Sequence, residues 1–258
     1  MINHELHKKP VALDRIAHRS LKLRTDVNPL QAVAHLNAAF VTAAEFGDAC
    51  KEYPILFLRA GTHPNGKAQV APVAVMGLTP GENLFIEKRA DGELGWRGRY
   101  TPAMLRAYPF TMAQVEADKW AVCIDESWAG WSQTEGRELF DDKGEPSAFM
   151  NEMRSFVEQI EAEVERTRQA GERLLEMGLL QDKRFDATLP DGSPLSVDGF
   201  MGVDEESLNK LTDAQIIELH RSGLLGVVAT HQISLSNMRG LIERRLAQAT
   251  PAVSQQAV

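Results

Sequence analysis

Cysteine is scarce in this chain: Cys50 and Cys123 are the only two in 258 residues. A disulfide framework is therefore excluded, as is a zinc site built mainly of thiolates. Basic residues are also short, with 28 Lys and Arg against 36 Asp and Glu, for a net charge of -8. That balance lacks the basic stripe of a nucleic-acid binder and the polybasic patch of a protein held electrostatically at a membrane surface. No run of about 18 apolar residues occurs, so membrane insertion is not expected. Residues 1–20 carry no apolar stretch of a secretory signal, and the expected location is cytoplasmic. Glycine-rich phosphate loops are missing as well: neither Gly-x-Gly-x-x-Gly nor a Walker motif is present, and no nucleotide cofactor is expected. The seven histidines include no pair at the i, i+4 spacing of a zincin. No metal site is expected, and no Gly-x-Ser-x-Gly elbow offers a nucleophile.

What remains is the composition of an ordinary soluble domain, 43% apolar and 25% charged. Residues 1–35 are polar and basic, broken by Pro10 and Pro29, and read as an N-terminal arm or an edge strand. Phe40, Ala43, Ala44 and Phe46 give residues 36–50 a helix-compatible pattern. Strand signals follow at Tyr53–Leu58, at Val70–Met76 and at Asn83–Glu87. Pro72 marks the second as an edge or a bulge. Asp91-Gly92 is a hairpin turn into Trp96–Tyr100. Thr101-Pro102 starts a two-turn helix that Pro109 ends, and Lys119–Asp125 returns to strand.

The longest periodic segment is a helix from about Pro146 to Leu180. Its apolar stripe holds Phe149, Met153, Phe156, Val157, Ile160, Val164, Leu174 and Leu175. Nine acids and four arginines between Glu145 and Asp182 make the opposite face acidic, a solvated surface first and a docking face for a basic partner second. Asp191-Gly192 turns a hairpin, Asp204 and Thr212 or Asp213 cap two short helices, and Gly223 ends the latter. Leu224–Thr230 is apolar without a clear period. A closing helix over residues 236–248 carries Arg239, Arg244 and Arg245, read as complements to its dipole. The expected fold is α+β: one small twisted antiparallel sheet packed against the long amphipathic helix and the C-terminal helices. Residues 36–248 form a single domain and residues 249–258 a disordered tail.

The candidate chemistry is thin. Asp125 and Glu126 form a carboxylate pair at a strand end, but neighbours on a strand point to opposite faces. His231 sits among apolar residues, where a satisfied core histidine is the commoner role. Acidic neighbours make Cys123 a poor nucleophile, so it reads as a packing residue. Trp120, Trp128 and Trp131 join Trp96 and Tyr100 in a local concentration of aromatics. They form either a core corner or an aromatic-lined binding surface.

The order of segments carries a resemblance. Tyr53-Pro54-Ile55-Leu56-Phe57 is followed by Gly81-x-Asn83-Leu84-Phe85. Then comes Tyr100-x-Pro102-Ala103-x-Leu105-Arg106-x-Tyr108-Pro109-Phe110, the most specific part. Cys123-Ile124-Asp125, Leu139-Phe140-Asp141, Val203-Asp204-Glu205 and His231-x-x-Ser234-Leu235 complete it. Over Tyr53 to Leu246 the chain resembles the SapC-like bacterial family, named for a surface-array-protein operon. The resemblance implies S-layer or outer-surface biology, with links to TonB-dependent uptake and to halogenase-associated systems, but assigns no catalytic residue. Cys50, and the polar neighbours of His231 in Thr230-His231-Gln232, depart from the family pattern.

Two readings follow. In the first, a non-catalytic accessory or binding protein presents Trp96, Tyr100, Arg106 and Tyr108 to a small polar ligand, a peptide or a partner protein. In the second, an enzyme uses Asp125 or Glu126 as acid/base, His231 as proton partner and Arg106 as anion clamp. A homodimer through the helical half is compatible with either.

Overall fold

The protein is described by a computed structural model covering residues 2–63, 66–116, 119–188 and 192–249. The expected tail beyond Ala249 and the Asp191 position of the hairpin turn lie outside the described residues. Strands β1 (Pro10–Ala12) and β2 (Lys22–Leu23) precede a short helix α1 (Leu30–Val33). Leu6 and His7 are buried, so the N-terminal segment is packed from its first turn. Next come β3 (Ala38–Phe40), a single 3-10 turn (Ala43–Glu45) and α2 (Phe46–Ala49). These replace the single helix expected over residues 36–50, and the reason is tertiary. Ala38–Phe40 find strand partners later in the chain at Val73–Val75. Helix geometry resumes only where the Glu45 carboxylate reaches back to the Thr42 N–H at 2.8 Å.

The central ladder is β4 (Ile55–Thr62) against β5 (Ala68–Val75). Pro72 lies in the interior strand β5 rather than at a sheet edge, but the missing N–H faces the end of the β3 ladder. That ladder stops at Phe40 opposite Val73, and the Pro72 carbonyl accepts from Val41 N at 3.1 Å. A small hairpin of β6 (Ile86–Lys88) and β7 (Leu94–Trp96) follows. It starts three residues later than Asn83 because the Asn83 side chain turns the chain, accepting from Phe85 N and donating to the Val33 carbonyl, both at 3.1 Å. Helix α3 (Ala103–Ala107) leads into the hairpin β8 (Phe110–Glu116) and β9 (Lys119–Asp125), and β1 pairs on the outer edge of β9. Two-residue strands β10 (Trp131–Ser132) and β11 (Arg137–Glu138) flank β2.

Helix α4 (Ala148–Glu176) opens on the Ser147 hydroxyl, which accepts from Met150 N at 3.1 Å. It closes in a Schellman arrangement. Gly178 takes φ +69°, and Leu179 N donates to the Leu174 carbonyl at 3.0 Å. The long hairpin β12 (Leu180–Thr188) and β13 (Pro194–Val203) then adds to β4. Helices α5 (Glu205–Asn209), α6 (Asp213–Arg221), α7 (Leu224–Ser234) and α8 (Asn237–Ala249) finish the chain.

The fold is α+β, with all strand pairs antiparallel, as the sequence predicts. The strands divide among four sheets rather than one, the largest having the order β12-β13-β4-β5-β3. Helix α4 packs on β5, where Gly171 permits close approach: a Cβ there would lie 2.7 Å from Val70 Cγ2. Helix α7 packs on β4 and β13. The apolar segment without a period is thus a helix, and His231 holds it in place. Among the described residues no helix is long and apolar enough to cross a membrane.

Candidate functional site

Asp125 and His231, the acid-base candidates, are both 0% exposed and serve different parts of the fold. Asp125 ends β9 and receives five donors. Lys9 N (2.9 Å), Ser127 N (3.1 Å) and Ser127 Oγ (2.7 Å) reach one oxygen, and Lys8 N and Tyr108 Oη (both 3.1 Å) reach the other. Burial alone would raise its pKa. The donors, Ser127 and the Lys8 and Lys9 amides foremost, outweigh it and hold the carboxyl below the ordinary aspartate value. The group is a clamp that ties the N-terminal segment to the sheet. Glu126 points the other way, exposed, with its carboxylate 2.7 Å from Lys9 Nζ, which lowers its pKa.

His231 bridges two backbones. Its Nδ1 is 2.7 Å from the Ile55 carbonyl and its Nε2 accepts from Val203 N at 3.1 Å. Those contacts assign the proton to Nδ1 of a neutral ring. The strands explain why. β4 and β13 share one ladder pair, Met201 with Phe57, so Val203 and Ile55 are the next opposed residues. The imidazole fills the gap between them, and Ser234 Oγ takes the Ile55 N–H at 2.9 Å. Burial lowers the His231 pKa to about 4. The structure does not bring Asp125, His231 and Arg106 together as an acid-base set, because both buried groups have their polar atoms fully engaged.

The binding candidates divide similarly. Tyr108 is buried beside Asp125, with its ring 5.3 Å from Trp128 in an edge contact. It belongs to the core corner, as do Trp128 and the half-buried Trp131, which packs edge-on to Phe110. Cys123 is buried, and burial pushes its thiol pKa up, as a packing residue requires. Trp96 and Tyr100 do meet. The Tyr100 carbonyl accepts from Trp96 Nε1 at 3.2 Å and from the Tyr53 hydroxyl. At its other end the Tyr100 hydroxyl donates to Glu45 at 2.7 Å. Glu45 is buried and also accepts from Ala103 N and from the Thr42 N–H and hydroxyl. Arg106 is exposed, with its Nε donating to the Thr101 carbonyl at 3.0 Å. Its guanidinium lies 5.7 Å over the Tyr100 ring and 5.3 Å over that of Phe156.

Tyr100 lines an open polar cleft of about 810 Å³. One wall is the C-terminal part of α2 and the residues after it, where Asp48 and Lys51 pair at 2.7 Å. The base is the Arg97-Gly98-Arg99 turn, pinned where Arg99 N donates to the Glu52 carboxylate at 2.7 and 2.8 Å. Gly98 is required there, because a Cβ would sit 2.7 Å from Trp96 Nε1 and from Tyr53 Oη. The opposite wall is α8, whose Asn237, Gly240 and Arg244 share one face at steps of three and four residues. Arg244 lies 4.2 Å over the Phe85 ring, itself packed on Tyr53 and Trp96. Neither the Arg99 nor the Arg244 guanidinium has a carboxylate partner among the described residues. Arg239 and Arg245 on the same helix do, in Glu243 and Glu82.

Sequence reasoning missed Arg97, Arg99 and Arg244. In the sequence the first two fit a strand and the third fits a complement to the helix dipole. The readable signal was the Arg-Gly-Arg triplet between Trp96 and Tyr100, with no acid inside it.

The molecule is therefore an α+β protein whose buried ionisable groups hold the fold and whose open cleft displays two arginines, Arg99 and Arg244, with no carboxylate partner among the described residues. The SapC family profile matches residues 13–241, and the chain belongs to the SapC family. No curated protein and no solved structure matches it.

Proposed function

We propose that this SapC-family chain is a non-catalytic binding protein that takes a small polar ligand or a peptide into the cleft between the Trp96–Tyr100 turn and α8. The observation that carries the reading is the anchoring of Tyr100. It is fixed at its carbonyl by Tyr53 and Trp96 and at its hydroxyl by Glu45, so it presents a rigid wall to an open space. Fixed aromatics beside fixed polar groups are what a pre-organised binding site needs. The volume accommodates a ligand of a few hundred daltons or a short peptide segment. The role is accessory, as part of a surface-layer or uptake system. Native mass spectrometry of the chain purified from its source cells tests the reading, with a retained ligand or a co-purifying protein expected. A ligand or partner held at unchanged affinity by a Tyr100→Ala, Arg99→Ala double variant refutes it.

A further inference from the structure

We infer that the ligand of this cleft carries oxyanion groups and is gripped by Arg99 and Arg244; the inference rests on the binding reading above. The chain as a whole is acidic, at -8, yet Lys51, Arg97, Arg99 and Arg244 line this one cleft against only Asp48 and Glu52. Asp48 pairs with Lys51, and Glu52 accepts the Arg99 backbone N–H while keeping its charge, so the four cations still outnumber the two acids in the lining. Arg97 is partly neutralised by Glu87 at 3.3 Å. Among the described residues, the guanidinium N–H donors of Arg99 and Arg244 have no hydrogen-bond acceptor.

Arg244 makes the stronger case because it is half-buried. Water solvates a half-buried guanidinium less well, and such a group ordinarily has a carboxylate beside it. Here the Phe85 ring covers one face. The cation–π contact holds the guanidinium against the ring at a position where it also lines the cleft. A fixed planar fork matches the two oxygens of a carboxylate or a phosphate. Gly240, one turn earlier on the same face, keeps the space open: a Cβ there meets nothing within 4 Å.

Calorimetric titration of the full chain at low salt, with citrate as the carboxylate probe and inorganic pyrophosphate as the phosphate probe, decides the matter. Binding of either supports the inference, and the tighter of the two names the source of the oxyanion. Each charge-assisted bond contributes about 1.5–3 kcal/mol, so Arg99→Ala and Arg244→Ala should each weaken that binding by roughly 10- to 100-fold. Arg244→Lys keeps the charge without the fork and should fall between. Gly240→Glu places a carboxylate in the cleft and should abolish binding without lowering the thermal midpoint, since glutamate is the better helix former. Arg166→Ala on α4 removes the same charge elsewhere and should change nothing. Equal losses with Arg166→Ala and Arg244→Ala overturn the inference, as does binding indifferent to all three arginines. If neither probe binds but the chain retains an uncharged ligand that Gly240→Glu expels, the oxyanion inference fails and the binding reading stands. If nothing is retained and neither probe binds, both fail.

Discussion

Lowering the pH from 7 to 5 should destabilise the protein through His231 alone by about 2 kcal/mol, and by about 3 kcal/mol at pH 4. The ring is neutral in the fold because burial holds its pKa near 4, well below the ordinary 6.5. In the unfolded chain it titrates normally. Between those values the unfolded state binds more protons, so stability is lost as pH falls through the window from about 6.5 to 4. Protonating the folded ring is costly because its Nε2 accepts from Val203 N and cannot do so once charged. The assay is urea unfolding followed by tryptophan fluorescence at several pH values, for the wild type and for His231→Gln. Glutamine offers a donor and an acceptor but no titration. Its amide fits the gap between β4 and β13 less well, which should cost about 1–3 kcal/mol at neutral pH. What matters is the slope: the variant should lack the loss of about 2 kcal/mol between pH 7 and 5. The buried His7, whose pKa burial also lowers, contributes equally to both proteins. Parallel stability curves for the two proteins refute the reasoning, as does an NMR titration placing the His231 ring above pH 6.

Asp125→Asn exchanges an acceptor of five hydrogen bonds for a side chain with one accepting oxygen and should cost about 2–4 kcal/mol. Hydrogen exchange should locate the loss at the Lys8 and Lys9 amides, and unchanged protection there would contradict the clamp. Because the Asp125 pKa is depressed, its contribution is present above the ordinary aspartate value near 3.8 and disappears as pH falls below it. Gly171→Ala gains about 1 kcal/mol of helix propensity but drives a Cβ to 2.7 Å from Val70 Cγ2, an overpacking worth about 1–3 kcal/mol. Net destabilisation in thermal unfolding is expected, and adding Val70→Ala should recover part of it. Ser147→Ala removes the α4 cap and should cost about 1 kcal/mol by the same measurement.

The elements with strong local signals were legible. Helix α4 shows a long stripe and a glycine stop, and of the two cap candidates for α6, Thr212 and Asp213, it is Thr212 that caps through its side-chain oxygen. The strand at Ala38–Phe40 was not legible, because two alanines and a phenylalanine fit a helix as well as a strand. Only pairing with the outer side of β5, some 35 residues further on, decides between them. Pro72 illustrates the same limit: its chemistry excludes a continuous ladder on one side but does not say which neighbour ends there. For the site, Tyr100 and Trp96 could be named because an aromatic segment stands out in a chain with few aromatics. Arg244 could not, because its meaning comes from Phe85, a residue 159 positions away that gives the guanidinium a stacking face.

The contrast between the two kinds of polar group bears on function. A catalytic acid or base has to exchange a proton with something that enters, so at least one of its polar atoms must face a cleft or a water. Asp125, Glu45 and His231 meet their hydrogen-bonding needs inside the protein, through backbone amides and carbonyls of segments far apart in sequence. The shifted titrations of Asp125 and His231 follow from burial and from the hydrogen bonds that hold strands and loops together. Arg99 and Arg244 are the reverse: charged, placed by neighbours that leave their donors free, and open to whatever occupies the cleft. Perturbed buried residues are reasonable candidates for chemistry when only the sequence is known. In this fold the arginines that line the open cleft are the groups left facing a ligand, and the proposed binding role rests on them.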